Sequence, residues 1–255
     1  GKADRQLHEV ANRITALTPG TTIANNARMT MTQPPGPPGS DSFHLIWLTG
    51  PSCDGCTIGA LGDTTLGGLE ALLTGQIAGI PPIAIAHPAL SFESGDRFTD
   101  ILRRAADGTL GPFALIVEAS IPNEPTAGGG FFSGIGDEGG QPVTIATWVD
   151  RLAPRAAAVV AFGDCGVWGG PHSLAPNPAG ATGTTSYLGT RFRSTLGLPV
   201  INLPGCCAPP VLLATLVTLL RHAGGSGPPL DLDEMNCPRS LYPEAWKGAL
   251  AVWTE

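Results

Sequence analysis

Four of the six cysteines follow short apolar runs of the kind that form buried β-strands. The cysteines are Cys53, Cys56, Cys165 and Cys206, and the runs that precede them are 43–48, 156–162 and 198–203. Because the carboxyl ends of parallel strands meet at one edge of a sheet, the sequence predicts that the four thiols lie together. Four thiolates commonly hold an iron–sulfur cluster, and such a cluster transfers electrons.

The first two cysteines form a Cys-x-x-Cys motif, which has several interpretations when taken alone. Cys53 and Cys56 could be half of a zinc site, a redox-active dithiol or two core thiols. Four cysteines also make a structural zinc site, so zinc is the main alternative to a cluster. The single cysteines Cys165 and Cys206, each beside glycine, fit the paired spacing of a zinc ribbon poorly. This spacing favours the cluster.

The composition indicates a globular protein that is partly covered by a partner. Only 14% of the 255 residues are charged, against about 25% in typical proteins. The net charge is -7 and the sequence has no basic run, which argues against binding of nucleic acid. The 42% of hydrophobic residues supports a full core.

No targeting or membrane segment is visible in the sequence. No stretch reaches the roughly 18 apolar residues of a membrane span, and no secretory or twin-arginine signal opens the chain. Six cysteines are too few for a disulfide scaffold in a chain of this length. We therefore expect a protein that is cytoplasmic, or peripherally attached to the membrane on the cytoplasmic side.

Strand and helix patterns alternate from residue 43 onward, which predicts an α/β fold with a doubly wound parallel sheet. The predicted strands are 43–48, 82–86, 113–118, 156–162 and 198–203, and the predicted helices are 57–74, 96–107, 143–152, 185–195 and 209–223. The cysteines are expected in loops at the carboxyl ends of the strands.

Three regions are predicted along the chain. Residues 1–42 contain an amphipathic helix at 2–17 and a Pro-rich linker at 33–40. Residues 43–223 form the cluster-binding domain, and residues 224–255 form a C-terminal extension without a clear sheet element.

Four motifs, taken in order, resemble those of the small, electron-transferring subunit of nickel–iron hydrogenases. They are Trp-Leu-Thr-Gly-Pro-Ser-Cys-Asp-Gly-Cys-Thr (47–57), Gly-Asp-Cys-Gly-Val-Trp-Gly-Gly (163–170), Pro-Asn-Pro-Ala-Gly-Ala (176–181) and Leu-Pro-Gly-Cys (203–206). The resemblance spans about residues 43–210. The stretches 117–124 and 148–160 are similar to the actinobacterial high-affinity class in particular.

The resemblance implies a flavodoxin-like domain in which Cys53, Cys56, Cys165 and Cys206 hold one 4Fe-4S cluster of the proximal type. It also implies a partner large subunit that contains the nickel–iron centre, and a further electron-transfer subunit or acceptor. The chain would carry electrons without cleaving hydrogen itself. The homologous subunit of respiratory complex I, a quinone oxidoreductase, is the alternative. That subunit typically has adjacent cysteines at the first position, so the Cys-x-x-Cys motif favours hydrogenase.

Two cysteines depart from the pattern of that family. Cys207 stands where the family usually has proline, and it is interpreted either as an inert neighbour of the site or as an alternative ligand to the four. Cys237 lies in Glu-Met-Asn-Cys, where the family has His-x-x-Cys at the start of a distal-cluster region. The extension is therefore interpreted as a remnant of that region, with Cys237 as a buried thiol.

Four polar residues near the cysteines have both structural and functional interpretations. Asp54 and Asp164 flank the ligands; an aspartate can replace a thiolate at a cluster, but with four cysteines available both are expected to cap turns. Glu118 is either a satisfied carboxylate at a strand end or a group that moves protons near the subunit boundary. His172 is either a surface residue or a donor to a cluster sulfur.

Overall fold

Five parallel strands form the central sheet of the computed structural model, which describes residues 42–80, 82–208 and 210–242. The strands in the described residues are β1 (His44–Thr49), β2 (Ala84–Ala86), β3 (Phe113–Glu118), β4 (Asp137–Glu138), β5 (Gln141–Pro142), β6 (Ala158–Phe162) and β7 (Ile201–Leu203). The sheet order is β2-β1-β3-β6-β7, whereas β4 and β5 form a separate antiparallel hairpin. This is the flavodoxin-like order, so the predicted fold class is confirmed.

Helices connect the strands on both faces of the sheet. The α-helices in the described residues are α1 (Gly55–Leu61), α2 (Gly68–Leu73), α3 (Asp96–Asp107), α4 (Ile145–Leu152), α5 (Gly163–Trp168), α6 (Thr184–Leu188) and α7 (Leu212–Ala223). Short 3₁₀ turns lie at Thr65–Gly67, Glu124–Ala127, Ala153–Arg155 and Gly170–Ser173.

The central strands are buried on both faces because their side chains alternate between two apolar cores. In β1, Leu45 and Trp47 pack into one core with α2 and α7, and Ile46 and Leu48 pack into the other with α3 and α4. Burying an aliphatic side chain of this size stabilises the fold by about 1.5–3 kcal/mol. The near-continuous apolar runs of the sequence follow from this two-sided burial.

Several predicted boundaries hold and others are corrected. The helix predicted at 96–107 is observed over those residues. The helix predicted at 57–74 is two helices, because Gly67 and Gly68 adopt positive φ angles of 86° and 77° between them. The helix predicted at 185–195 ends at Leu188. Residues 163–168 were expected as a loop and form a helix instead, so Cys165 is helical.

The segment after α7 returns to the edge strand β7. The Asn202 backbone N–H donates to the Asn236 carbonyl at 2.9 Å, and its side-chain amide donates to the Met235 carbonyl at 2.7 Å. An antiparallel bridge joins Leu232 to Pro238 in the same segment. These contacts cover the exposed edge of the sheet. The predicted helix at 2–17 and linker at 33–40 lie outside the described residues, and the predicted division of the chain into three regions stays a prediction.

The close approach of α5 to β3 depends on a glycine beside Cys165. A Cβ atom on Gly166 would overlap the carbonyl oxygen of Val117. We expect Gly166→Ala to destabilise the fold by about 1–3 kcal/mol, because a backbone carbonyl cannot yield as a flexible side chain can. Thermal unfolding should detect a fall of several degrees. The matched control is Gly62→Ala, whose added Cβ would meet its nearest atoms at 3.6 and 3.7 Å. Equal melting of the two variants would contradict this packing argument.

Candidate iron–sulfur site

The four predicted ligands and Cys207 come together at the carboxyl edge of the sheet. Cys53 lies in the turn after β1, Cys56 in the first turn of α1, and Cys165 in α5, directly after β6. Cys206 and Cys207 follow β7. Cys206 interacts electrostatically with Cys53, and Cys165 interacts electrostatically with both. Cys56 interacts with Cys165 and Cys207.

Burial keeps the inner thiols protonated in the metal-free chain. Burial, with a smaller contribution from the neighbouring thiols, raises the pKa of Cys56 to about 12 and that of Cys165 to about 11. Burial also raises the pKa of Cys206. Since metal ligation requires thiolates, binding of iron at these residues would release protons to solvent.

Glycines leave room for the sulfur atoms. The position of a Cβ on Gly55 lies 2.9 Å from the Sγ of Cys207 and 3.2 Å from that of Cys53. A Cβ on Gly170 would come within 2.7 Å of the Cys165 Sγ, and one on Gly163 would overlap the Cys56 Sγ. Side chains at these positions would fill the space around the thiols. The site therefore has the cradle and the soft donor set that an iron–sulfur cluster requires.

Backbone groups fix the loop that carries Cys206. The Gly205 N–H donates to the Oδ1 of Asp164 at 2.7 Å, and the Asp164 N–H donates to the Gly205 carbonyl at 3.0 Å. On the far side of the loop, the Ala208 N–H donates to the Cys56 Sγ at 3.3 Å. Asp164 thus links the Cys165 helix to the Cys206 loop, which goes beyond the turn-capping role predicted for it.

Glu118 binds the N-terminus of α1 from the end of β3. This carboxylate is 1% exposed and accepts four hydrogen bonds. Its Oε1 accepts from the backbone N–H groups of Cys56 and Thr57 at 3.1 and 3.0 Å. Its Oε2 accepts from the Trp47 indole at 3.0 Å and from the Thr57 hydroxyl. Of the two interpretations of this residue, the satisfied carboxylate at a strand end describes its contacts.

His87 extends the Glu118 network through Thr57. Its Nδ1 accepts from the Ala89 N–H at 2.9 Å, so the proton of the neutral ring lies on Nε2. That nitrogen is 3.0 Å from the Thr57 hydroxyl, which in turn donates to Glu118. Burial lowers the pKa of His87 to about 4. Burial also raises the pKa of Glu118, although the hydrogen bonds that Glu118 accepts from Thr57 and Trp47 act in the opposite direction. The ring is therefore neutral at neutral pH.

Tyr242 supports the Cys206 loop from behind. Its ring is 1% exposed, and its hydroxyl donates to the Pro204 carbonyl at 3.1 Å. Cys237 lies in the same core, 2% exposed, with its backbone N–H bound to the Asp233 carboxylate at 2.8 Å. The buried thiol expected for Cys237 is therefore observed. Tyr242 lies in no local motif that could reveal this role, because its partner is 38 residues away.

A cavity of about 430 Å³ lies where β1 and β3 end. Its walls include Thr49, Pro51, Ser120, Phe132, Ile135 and His172. His172 is exposed and lines this cavity. Among the described residues, the cysteine sulfur atoms contact residues other than His172. In the described ranges, no three or more His, Cys, Asp or Glu side chains are arranged to hold a single metal ion. A cluster instead distributes its thiolates over several irons.

The family model for the NADH ubiquinone oxidoreductase 20 kDa subunit matches residues 53–220, which include all five cysteines of the site. The chain belongs to this family. It is also 30% identical over 213 residues to the hydrogenase-2 small chain of Escherichia coli K12, covering 83% of this chain and 49% of that protein. It is 29% identical over 206 residues to the periplasmic [NiFe] hydrogenase small subunit 1 of Nitratidesulfovibrio vulgaris, covering 80% and 57%.

A solved structure also matches this chain. The actinobacterial-type NiFe-hydrogenase from Ralstonia eutropha H16 superposes with a TM-score of 0.74 and 38% identity, over 79% of this chain and 59% of that chain. The resemblance to small subunits of NiFe hydrogenases, including the actinobacterial type, is thereby confirmed. The chain spans about half the length of the curated relatives it matches.

In this member of the family, replacing the Glu118 carboxylate should loosen α1 and its cysteine. Glu118→Gln keeps the shape of the side chain but replaces one carboxylate oxygen by an NH₂ group, which then faces N–H or O–H donors that the oxygen accepted from. We expect a loss of about 1–3 kcal/mol in stability, because a buried donor is left without an acceptor. Thermal unfolding measures this loss. The control is Glu70→Gln on the exposed surface of α2, which should melt like the wild type. An unchanged melting temperature for Glu118→Gln would contradict the anchoring role.

The Tyr242 hydroxyl should affect how firmly the Cys206 loop is held. Tyr242→Phe keeps the buried ring and removes one hydrogen bond, worth about 0.5–1.5 kcal/mol. We expect this variant to release iron to a chelator faster than the wild type does, and visible absorbance measures the release rate. Tyr187→Phe is the matched control, because that hydroxyl binds the Asp150 carboxylate away from the cysteines. Identical release rates in both variants would argue that the Tyr242 bond does not support the loop.

Proposed function

We propose that this chain is the iron–sulfur electron-transfer subunit of a nickel–iron hydrogenase. It carries electrons between a hydrogen-activating centre in a partner large subunit and a downstream acceptor. The observation that supports this most directly is the convergence of Cys53, Cys56, Cys165 and Cys206 at one sheet edge. The hydrogenase small subunits that the chain resembles point to the same function.

The proposed cofactor is one 4Fe-4S cluster of the proximal type. Cys53, Cys56, Cys165 and Cys206 would hold it, and when bound it supplies one-electron transfer. Within the site, the Ala208 N–H that faces the Cys56 sulfur is positioned to stabilise negative charge there. Glu118 orients the first turn of α1, and Asp164 joins the Cys165 and Cys206 segments.

The proposed partner is a hydrogenase large subunit that contains the nickel–iron centre, with a further electron-transfer subunit or acceptor beyond the cluster. Large apolar side chains are exposed on the segments next to the cysteines. On α1, Ile58 is 68% and Leu61 is 53% exposed, and Phe131 is 57% exposed on the loop beside the cavity. Exposed apolar groups beside a redox site are typical of a surface that a partner covers. The low share of charged residues supports the same interpretation.

A quinone-reducing module similar to complex I is the second candidate. The matched family model, named after a subunit of NADH ubiquinone oxidoreductase, favours it. The Cys-x-x-Cys spacing and the 38% identity with a NiFe-hydrogenase structure favour hydrogenase.

We propose a location in the cytoplasm or at the cytoplasmic side of a membrane. Across the described part of the chain, the helices are too short or too polar to span a bilayer.

Purification of the native complex under anaerobic conditions tests the function and the cofactor together. We expect about four irons and four acid-labile sulfides for each copy of this chain, and nickel in the copurifying large subunit. Hydrogen should reduce an artificial dye in the presence of this complex. The control is the complex that carries Cys165→Ser, which should lose both the cluster and the ability to reduce the dye. Zinc without sulfide would contradict the cluster, and a partner without nickel would favour the quinone-reducing module.

A further inference from the structure

The site contains five thiols, although a 4Fe-4S cluster has four positions for protein ligands. Two of the thiols are sheltered: Cys56 is buried and Cys165 is partly buried. The other three, Cys53, Cys206 and Cys207, are exposed. If the sheltered pair supplies two ligands, three exposed thiols remain for two positions.

The Cys207 side chain points into the group of thiols. Its Sγ lies 2.9 Å from the position of a Cβ on Gly55, and the Cys53 Sγ lies 3.2 Å from that same point. Its own Cβ lies 3.6 Å from the position of a Cβ on Gly59, one turn along α1. Cys207 is therefore packed against the helix that carries Cys56. The glycine at position 55 leaves space for its sulfur.

The loop around Cys207 is held at both ends. Gly205 is bound to Asp164 on one side, and the Ala208 N–H is bound to the Cys56 sulfur on the other. The two cysteines between these anchors cannot move far from the site without breaking one of them. The Cys207 thiol also interacts electrostatically with Cys56 and with Cys206. Both residues of the Cys206–Cys207 pair therefore stay within reach of the same group.

We propose that Cys207 is a spare cluster ligand that takes over iron ligation when Cys206 or Cys53 dissociates from the iron. This inference rests on the proposed function. In the exchange, the Cys207 thiol gives up its proton and forms an iron–sulfur bond, while the departing ligand leaves as a thiolate and takes up a proton. No electron is transferred, and the charge of the cluster with its four thiolates is unchanged.

Alanine variants in the native complex test this proposal, because alanine cannot ligate iron. The variants are Cys206→Ala, Cys207→Ala, the double variant of these two, and Cys165→Ala as a control without a spare neighbour. Iron and acid-labile sulfide per chain are measured, and electron paramagnetic resonance spectra of the reduced complexes are recorded. We expect Cys206→Ala to keep most of its iron and sulfide with a shifted spectrum. Cys207→Ala should match the wild type, and the double variant should be as depleted as Cys165→Ala.

Two results would overturn the proposal. Depletion of Cys206→Ala to the level of the double variant would show that Cys207 does not substitute. Loss of the cluster in Cys207→Ala, with retention in Cys206→Ala, would make Cys207 the regular ligand instead of a spare one. Should Cys206→Ala fail to assemble with its partner, Cys53→Ala with and without Cys207→Ala gives the same comparison. A wild-type complex without sulfide would instead contradict the proposed function itself.

Discussion

The contact on which the rest of the site depends is the one between the Glu118 carboxylate and the first turn of α1. The strand end supplies a buried negative charge, and the helix start supplies N–H groups that have no partner within the helix. A buried carboxylate is stable only when such donors surround it. Trp47 and Thr57 supply two more, so the carboxylate is saturated. The contact fixes Cys56 relative to β3, and the other cysteines are positioned around it.

The remaining cysteines reach the same place by short routes from the sheet. Parallel strands β1, β6 and β7 all end at one edge, and each thiol lies within a few residues of a strand end. Asp164 and Tyr242 then restrain the Cys206 loop, which has no helix of its own. The restraints come from opposite directions along the chain, one from α5 and one from the segment after α7. A group of thiols that repel one another as thiolates is in this way held together by hydrogen bonds and packing.

The sequence was sufficient for the parts of the fold that follow local periodicity. The strand that becomes β3 is visible as a short continuous apolar run, and the helix at 96–107 is visible because its apolar positions repeat at helical spacing. The cysteine positions followed from the same strands. The helical state of Cys165 was not predictable, since Gly-Asp-Cys-Gly is typical of a turn, and its helix is stabilised by contact with β3. The hydrogen bonds of Glu118 and Tyr242 were also missed, because their partners are distant in the sequence. Glu118 accepts from Cys56 and Thr57, which lie 62 and 61 positions away, and Tyr242 donates to Pro204, 38 positions away.

The family motif and the contacts of the C-terminal segment describe different properties: the motif concerns its origin, and the contacts concern what it stabilises. As a sequence, Glu-Met-Asn-Cys looks like the remnant of a distal-cluster region. In the structure, Met235 and Asn236 bind Asn202 on the edge strand, and Tyr242 binds the loop before Cys206. A segment with those contacts stabilises the site whatever its origin. All three of these hydrogen bonds are accepted by backbone carbonyls, but the Asn202 amide and the Tyr242 hydroxyl that donate two of them are side chains, so the restraint on the loop depends on these two residues.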